Sequence, residues 1–318
     1  MKTELKKLVN QFRSLELHAA RAGRDVHQIL IKELEQSSLK KDATTLDLQV
    51  SLRTMVAELL PVLPPYAPPI RRINDLLIQV SHAIEWNISL EETMHKLVTT
   101  HEMNSTPKSI AQDAAASLLA TLTSPLTFYT HTLSETVLNV VLILHSQGMV
   151  HQVYVTESRP NLDGQETARR LAEVGVKVHL TIDAAMPGAI LASDRMLTGA
   201  EAIGGSGDVI GKVGAFPAAI LCRLYNKPIS VVSDTTKILP IPLECLSLTH
   251  LRVEDLLLKG NKAEWEPFGS FFDLTPSDYV ENYITERGLW SKADVAAEAN
   301  RIEVSHWLLD QLFAIHGE

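Results

Sequence analysis

The stretch from Thr198 to Asp234, TGAEAIGGSGDVIGKVGAFPAAILCRLYNKPISVVSD, holds residues whose types and spacing suit phosphate chemistry. An apolar run leads into Gly204, Gly205, Gly207 and Gly211, which surround Asp208 and precede Lys212. A helical run, Gly214 to Tyr225, and a β-branched run, Ile229 to Val232, follow. This order reads as strand, glycine-rich loop, helix, strand. Two phosphate motifs are approached and neither is met. A dinucleotide fingerprint requires G-x-G-x-x-G, and from Gly205 the chain reads G-S-G-D-V-I-G, one residue too long. A P-loop requires four residues before Gly-Lys and a hydroxyl residue after it; three separate Gly207 from Gly211-Lys212, and Val213 follows. The underlying physics does not depend on the motif, because backbone N–H groups at a helix start beside a lysine attract an anion. The plainer alternative is a tight turn with a solvated lysine.

Other polar residues fall where strands should end. Thr130-His131-Thr132-Leu133-Ser134 follows a short β-rich run, Leu126 to Thr130, and Ser134 suits a helix N-cap. His131 is either an acid or base, or a structural histidine. Thr156-Glu157-Ser158-Arg159-Pro160 follows the next run, and an arginine there suits a phosphate or carboxylate, or a surface ion pair with Glu157. Asp183, Glu201 and Asp234 are expected on the same rim. No metal-ligand spacing occurs among the twelve histidines and two cysteines. No G-x-S-x-G hydrolase elbow occurs either.

These residues need a framework, and the hydrophobic pattern supplies one. From residue 1 to about 120 the pattern is helical: Leu5, Leu8, Val9 and Phe12 share a face, as do Val26, Ile29, Leu30 and Leu34. The proline tract Pro61 to Pro69 breaks the helix ending at Val62, and Ile70 to Ile84 restarts it. Leu90 to Leu97 and Ala111 to Leu122 continue it, and Arg71-Arg72 reads as a solvated face or an anion contact. From Leu126 the grammar changes. Strands at 126–130, 152–156, 176–182, 196–203 and 229–232 alternate with helices at 134–145, 165–174 and 184–192. Such alternation predicts a parallel sheet with helices on both faces. A helix is expected around Val253 to Leu258, and another from Ser291 to Phe313. The expected fold class is α/β: a helical N-terminal domain, 1–122, followed by a Rossmann-like parallel-sheet domain, 123–318.

Bulk properties exclude several classes. With 45% hydrophobic and 21% charged residues, the chain can build a core and is not a disordered type. A net charge of −9 argues against direct nucleic-acid binding through a global basic face. No apolar run reaches the ~20 residues of a membrane span. The opening MKTELKKLVNQF lacks a signal-peptide core, and two cysteines make no disulfide framework, so a cytoplasmic location is expected.

The ordered motifs together resemble a known family. They are Thr130-His131-x-x-Ser134, Thr156 to Pro160 with Gly164, Ile182-Asp183-Ala184-Ala185, Gly199-Ala200-Glu201, and Gly207 to Gly214. Phe272-Asp273-Leu274-Thr275-Pro276 and Ile284-Thr285-Glu286-Arg287-Gly288 complete the set. This pattern, from about Phe128 to Gly288, resembles the initiation factor 2B alpha/beta/delta family, which includes methylthioribose-1-phosphate isomerase and ribose-1,5-bisphosphate isomerase. The resemblance implies a helical domain on a Rossmann-like domain, dimerisation through the latter, and a sugar-phosphate or nucleotide pocket between the domains. No cofactor and no metal are expected, since no metal-ligand spacing occurs. A translation-factor partner and a higher oligomer are compatible with the resemblance.

Departures from the isomerase pattern bear on activity. The isomerase cysteine in T-H-C falls on Thr132, the aspartate of G-A-D on Glu201, the asparagine before lysine on Gly211, and the glutamine of R-P-x-x-Q-G on Asp163. A thiol with pKa near ~8.5 is tunable for proton transfer, whereas a threonine hydroxyl is not. Glu201 is one methylene longer than aspartate, and a displacement of about 1 Å can cost around a hundredfold in rate. The alpha subunit of the initiation factor likewise lacks the cysteine and carries G-A-E. The resemblance therefore implies a non-catalytic regulatory homodimer. Its ligand would meet Thr132, Ser134, Arg159, Asp163, Glu201, Gly207, Asp208 and Lys212. One alternative is an aldose–ketose isomerase with Glu201 as acid/base. Another is a protein-interaction scaffold with a vestigial pocket.

Overall fold

The structure is a computed structural model and describes residues 3–13, 19–99, 107–251 and 266–316. In chain order the first helices are α1 (Thr3–Arg13), α2 (Ala19–Ser38), α3 (Thr45–Leu59), α4 (Ala67–Glu85), α5 (Leu90–Thr99) and α6 (Pro107–Leu119). The alternating region follows: β1 (Leu126–Thr130), α7 (Glu135–Ser146), β2 (Val150–Thr156), α8 (Asp163–Glu173), β3 (Val178–Thr181) and α9 (Met186–Leu191). Next come β4 (Arg195–Thr198), β5 (Ala202–Gly204), β6 (Val209–Lys212), α10 (Ala215–Leu224), β7 (Ile229–Val232) and β8 (Ile238–Leu239). The chain closes with β9 (Phe272–Thr275), β10 (Asn282–Thr285), β11 (Gly288–Trp290), α11 (Lys292–Ala299) and α12 (His306–His316).

The chain divides into two compact units. One takes Met1–Asn104 with Leu239–Ser247 and Ala299–Glu318; the other takes Ser105–Ile238 and Leu248–Glu298. In the helical unit the expected stripes face inward: Leu5, Leu8, Val9 and Phe12 on α1 are buried, as are Val26, Leu30 and Leu34 on α2. A capping box starts α3, with Thr44 accepting from the Asp47 N–H and Asp47 accepting from the Thr44 N–H. The helix α4 begins inside the proline tract, three residues ahead of the expected Ile70. Pro68 and Pro69 occupy its first turn, where no intrahelical N–H is required.

The other unit is built on a seven-stranded sheet of order β11-β10-β7-β4-β1-β2-β3. All its neighbours are parallel except β10 and β11. The period of two sorts its side chains. Phe128, Val153, Val155, Leu197, Val232 and Ile284 face a core shared with α6, α7 and α8. Tyr129, Met196 and Ile229 face the opposite core with α9 and α10. On α6 the alanines 111, 114 and 115 and Leu118 form a helical stripe against the first core. Because β2 and β4 flank β1, the order of connections reverses at β1. In open α/β sheets the crevice beyond the strand C-termini at such a reversal takes ligands.

Several sequence expectations change in detail. The expected strand 196–203 is two strands in two sheets, β4 in the large one and β5 in a small sheet of order β8-β5-β6-β9. The chain turns at Gly199, where a Cβ would lie 2.7 Å from Ser134 Oγ, so only glycine lets the strand end approach α7. The glycine-rich segment is consequently no strand-to-helix loop. Residues 205–208 form a hairpin between β5 and β6, and Gly211 lies within β6. The expected helix 291–313 is two helices, α11 and α12, separated at 300–305. The expected helix at Val253 to Leu258 lies outside the described residues.

Candidate functional site

The C-terminal ends of β1 and β2, the first turn of α8 and the end of β6 border a small recess open to solvent. Thr132, Arg159, Asp163 and Lys212 line it, with His131, Ser158, Pro160, Asn161, Val213 and Phe271. Four residues named from sequence alone thus share one wall-to-wall space. They arrive from four separate elements.

His131 forms the floor. It is buried, and both ring nitrogens are engaged: Nε2 lies 2.7 Å from the Val213 carbonyl and Nδ1 lies 2.9 Å from Thr156 Oγ1. A carbonyl only accepts, so Nε2 carries the proton and Nδ1 accepts from a hydroxyl. Burial pushes its pKa below the ordinary value, opposed by the Val213 carbonyl. The ring is therefore a neutral tie between β1, β2 and the end of β6. It packs against Gly214, where φ is +104° and a Cβ would meet the ring at 2.7 Å.

The loop after β2 is held from beneath. Asp183 accepts the Ser158 N–H at 2.9 Å and the Arg159 N–H at 2.7 Å. Ser158 Oγ in turn accepts the Thr132 N–H at 2.7 Å, and the Thr132 carbonyl accepts from Thr167 Oγ1 at 2.9 Å. Thr132, Ser158 and Leu162 all adopt left-handed backbone, with φ of 62°, 61° and 62°. Such residues cost about 1–3 kcal/mol each and persist where surroundings fix them, commonly at ligand sites. Gly164 permits the closest approach of all: a Cβ there would lie 1.8 Å from the Thr156 carbonyl oxygen. Its backbone brings Asp163 to the recess, where the Thr132 hydroxyl points at Asp163 Oδ2 over a long 3.5 Å contact.

The opposite wall is cationic. Lys212 ends β6 and its ammonium lies 4.9 Å from the centre of the Phe272 ring on the paired strand β9. Beyond it the N-terminus of α10 is the anion-attracting helix start that the sequence suggests. That position is filled by the protein itself. Asp273 Oδ2 accepts the Gly214 N–H at 2.8 Å and the Phe216 N–H at 3.1 Å.

The remaining sequence-named residues lie elsewhere than this recess. Ser134 caps α7, accepting from the Val137 N–H at 3.4 Å. Glu201 sits in the turn between β4 and β5, its N–H donating to the Ile210 carbonyl at 2.8 Å. Gly207 and Asp208 belong to the β5–β6 hairpin. Gly207 takes φ +84° and its carbonyl accepts from the Tyr283 hydroxyl. Asp208 accepts from the Ser277 N–H and the Ser206 hydroxyl, both at 2.7 Å. Burial opposes its ionisation, but those hydrogen bonds outweigh burial and hold its pKa below the ordinary carboxylate value. Thr156, Asp183 and Asp273 are the supporting residues that sequence reading passed over or placed without a role. Asp273 had a signal, the FDLTP run, but nothing in the run reveals what it caps. Among the described residues no group of His, Cys, Asp and Glu could hold a metal ion.

Comparison with known proteins places this geometry in context. A family model, the initiation factor 2 subunit family, matches residues 17–292. A ribose 1,5-bisphosphate isomerase of Archaeoglobus fulgidus is 31% identical over 169 residues, 51% of this chain and 53% of that protein. A methylthioribose-1-phosphate isomerase of Pseudomonas syringae pv. syringae is 32% identical over 184 residues, 54% of this chain and 50% of that protein. The chain thus spans about half the length of the curated relatives it matches. Among solved structures, a tetrameric eIF2B-beta2-delta2 complex from C. thermophilum aligns with a TM-score of 0.70 at 15% identity, covering 93% of both chains. That likeness establishes the shared fold.

Proposed function

The chain belongs to the initiation factor 2 subunit family, and on that premise we propose that it is a non-catalytic, regulatory member that binds a sugar phosphate or nucleotide in the recess at Thr132. The observation that carries this reading is the pairing of walls. Arg159 and Lys212, from different strands' ends, line the same recess, and threonine stands on its floor side where the isomerase pattern has cysteine. The guanidinium of Arg159 suits two phosphate oxygens and the Lys212 ammonium adds a point charge. Nearby backbone amides contribute little. Those of Thr132, Ser158 and Arg159 go to Ser158 and Asp183, and those of Gly214 and Phe216 go to Asp273. Affinity then depends on the two cations, with Asp163 and the Thr132 hydroxyl meeting ligand hydroxyls. Ser134, Glu201, Gly207 and Asp208 do not line this recess. We extend the same reading to a cytoplasmic homodimer that engages a translation-factor partner.

The experiment is a thermal-shift series with ribose 5-phosphate, ribose 1,5-bisphosphate, methylthioribose 1-phosphate and nucleoside monophosphates, run beside a turnover assay. Stabilisation without turnover, lost in Arg159→Ala and Lys212→Ala, supports the proposal. Turnover of either isomerase substrate, abolished in Glu201→Gln, overturns it in favour of a second reading. That reading is an aldose–ketose isomerase, and the named isomerases among the relatives favour it.

A further inference from the structure

The cationic wall depends on a residue that does not touch the recess. Lys212 closes β6, and only Val213 separates it from Gly214, whose left-handed turn starts α10. Three contacts set the direction of this turn. The Val213 N–H donates to the Phe271 carbonyl at 2.9 Å, the Val213 carbonyl accepts from His131 Nε2, and the Gly214 N–H donates to Asp273. Asp273, on β9, reaches across the turn. Its own strand pairs with β6 in the register Gly211↔Asp273 and Lys212↔Phe272. The same carboxylate oxygen also takes the Phe216 N–H, so it fastens both the turn and the first residues of α10. The other oxygen, Oδ1, is buried without a hydrogen-bond partner among the described residues.

Resting on the reading of the recess as an anion site, we propose that Asp273 is its positioning residue: the carboxylate clamps the β6–α10 turn and so sets where Lys212 meets a bound phosphate. Hydrogen bonds to a charged carboxylate are roughly twice as strong as neutral ones, which favours the bonds from both amides but not the buried charge itself. Burial raises its pKa to about 6, against the backbone bonds from Phe216, Gly214 and Ala215. Protonation relieves the buried charge yet weakens the grip on both amides. The charged and titratable groups on the packed elements are Lys212 on β6, Cys222 and Arg223 on α10, the thiol pushed up by burial and the guanidinium stacked on Tyr279, and His131, whose pKa is lowered by burial.

The test uses the full chain and sulfate, an anion that does not titrate in this range. Amide hydrogen exchange at Gly214 and Phe216, with no ligand present, reads the clamp; sulfate titration by calorimetry reads its consequence. In wild type both amides are protected from exchange and sulfate binds. In Asp273→Asn protection is low, and sulfate binds on the order of tenfold more weakly, the loss of about one charge-assisted hydrogen bond. Asp273→Glu restores part of the protection. Unchanged protection in Asp273→Asn overturns the clamp whatever the recess binds. Tighter sulfate binding in that variant overturns positioning, because it shows the carboxylate acting only as a repelling charge. If wild type takes neither sulfate nor sugar phosphate while the clamp amides behave as described, the anion-site reading fails and the role given to Asp273 in binding falls with it.

Discussion

Gly164→Ala is the perturbation through which packing and function are most tightly joined. An alanine Cβ at this position would stand 1.8 Å from the Thr156 carbonyl oxygen and 2.9 Å from its carbon. Carbon and oxygen normally approach no closer than about 3.3 Å. The first turn of α8 must therefore move roughly 1.5 Å away from β2, and no side-chain rotation can absorb this because both partners are backbone. Overpacking of this kind costs typically 1–3 kcal/mol, and a backbone-to-backbone clash belongs at or above ~3 kcal/mol on that scale. The displacement also carries Asp163 away from Thr132 and strains the 158–162 loop that holds Arg159. Misplacements of about 1 Å can cost on the order of a hundredfold at a site. Denaturant unfolding followed by circular dichroism measures the first effect, and calorimetric titration with a sugar phosphate the second. A midpoint equal to wild type, or unchanged ligand affinity in a stably folded variant, would refute the claim that this close contact positions the recess.

Asp183→Ala removes the acceptor for two backbone N–H groups, and hydrogen bonds to a charged group are worth ~1.5–3 kcal/mol each. Because the Arg159 bond is exposed and worth less, a loss of ~2–4 kcal/mol in unfolding free energy and protease sensitivity at residues 158–160 are expected. Arg159→Ala and Lys212→Ala leave the unfolding midpoint near wild type and abolish ligand stabilisation, which for a ligand at 100 times its dissociation constant is ~2.7 kcal/mol. This reads as a lost shift of roughly 4 °C in a thermal scan for a chain of this length. For pH, Asp273 has a folded pKa of about 6, above the unfolded carboxylate value of 3.8. The folded state then holds the proton more tightly between these values. The contribution is fully present below pH 4 and is lost as pH rises through 6, by about 3 kcal/mol. Subtracting the Asp273→Asn stability curve from that of wild type isolates this slope, and a rise with pH over the same interval contradicts it.

The sheet was legible in the sequence because β-branched runs and helical stripes alternate with short connections from Leu126 onward. The burial of Phe128 on one face and Tyr129 on the other is what a period of two requires. Arg159 was legible because it follows a strand end and Lys212 because it stands beside glycines ahead of a helix, whereas Thr132 and Asp163 were picked out only by the resemblance to the family motifs. The glycine segment misled for a physical reason. Glycines permit tight turns of any kind, and hairpin pairing of Ile203 with Val209 is a long-range choice that local pattern does not encode. The break between α11 and α12 has the same character. So does the docking of Leu239–Ser247 and Ala299–Glu318 within the helical unit, since membership of a unit depends on contacts far apart in sequence. The α10 N-terminus was readable as an anion site, but not that Asp273, 59 positions from Gly214, supplies the anion.

The central claim is phosphate binding without isomerisation at the Thr132 recess. A ³¹P NMR titration of ribose 1,5-bisphosphate with the full chain addresses both halves in one sample. The sugar's phosphorus resonances are expected to shift or broaden as protein is added, with no new resonance growing during prolonged incubation. Growth of ketose bisphosphate resonances, or sharp unshifted lines at saturating protein, would contradict it.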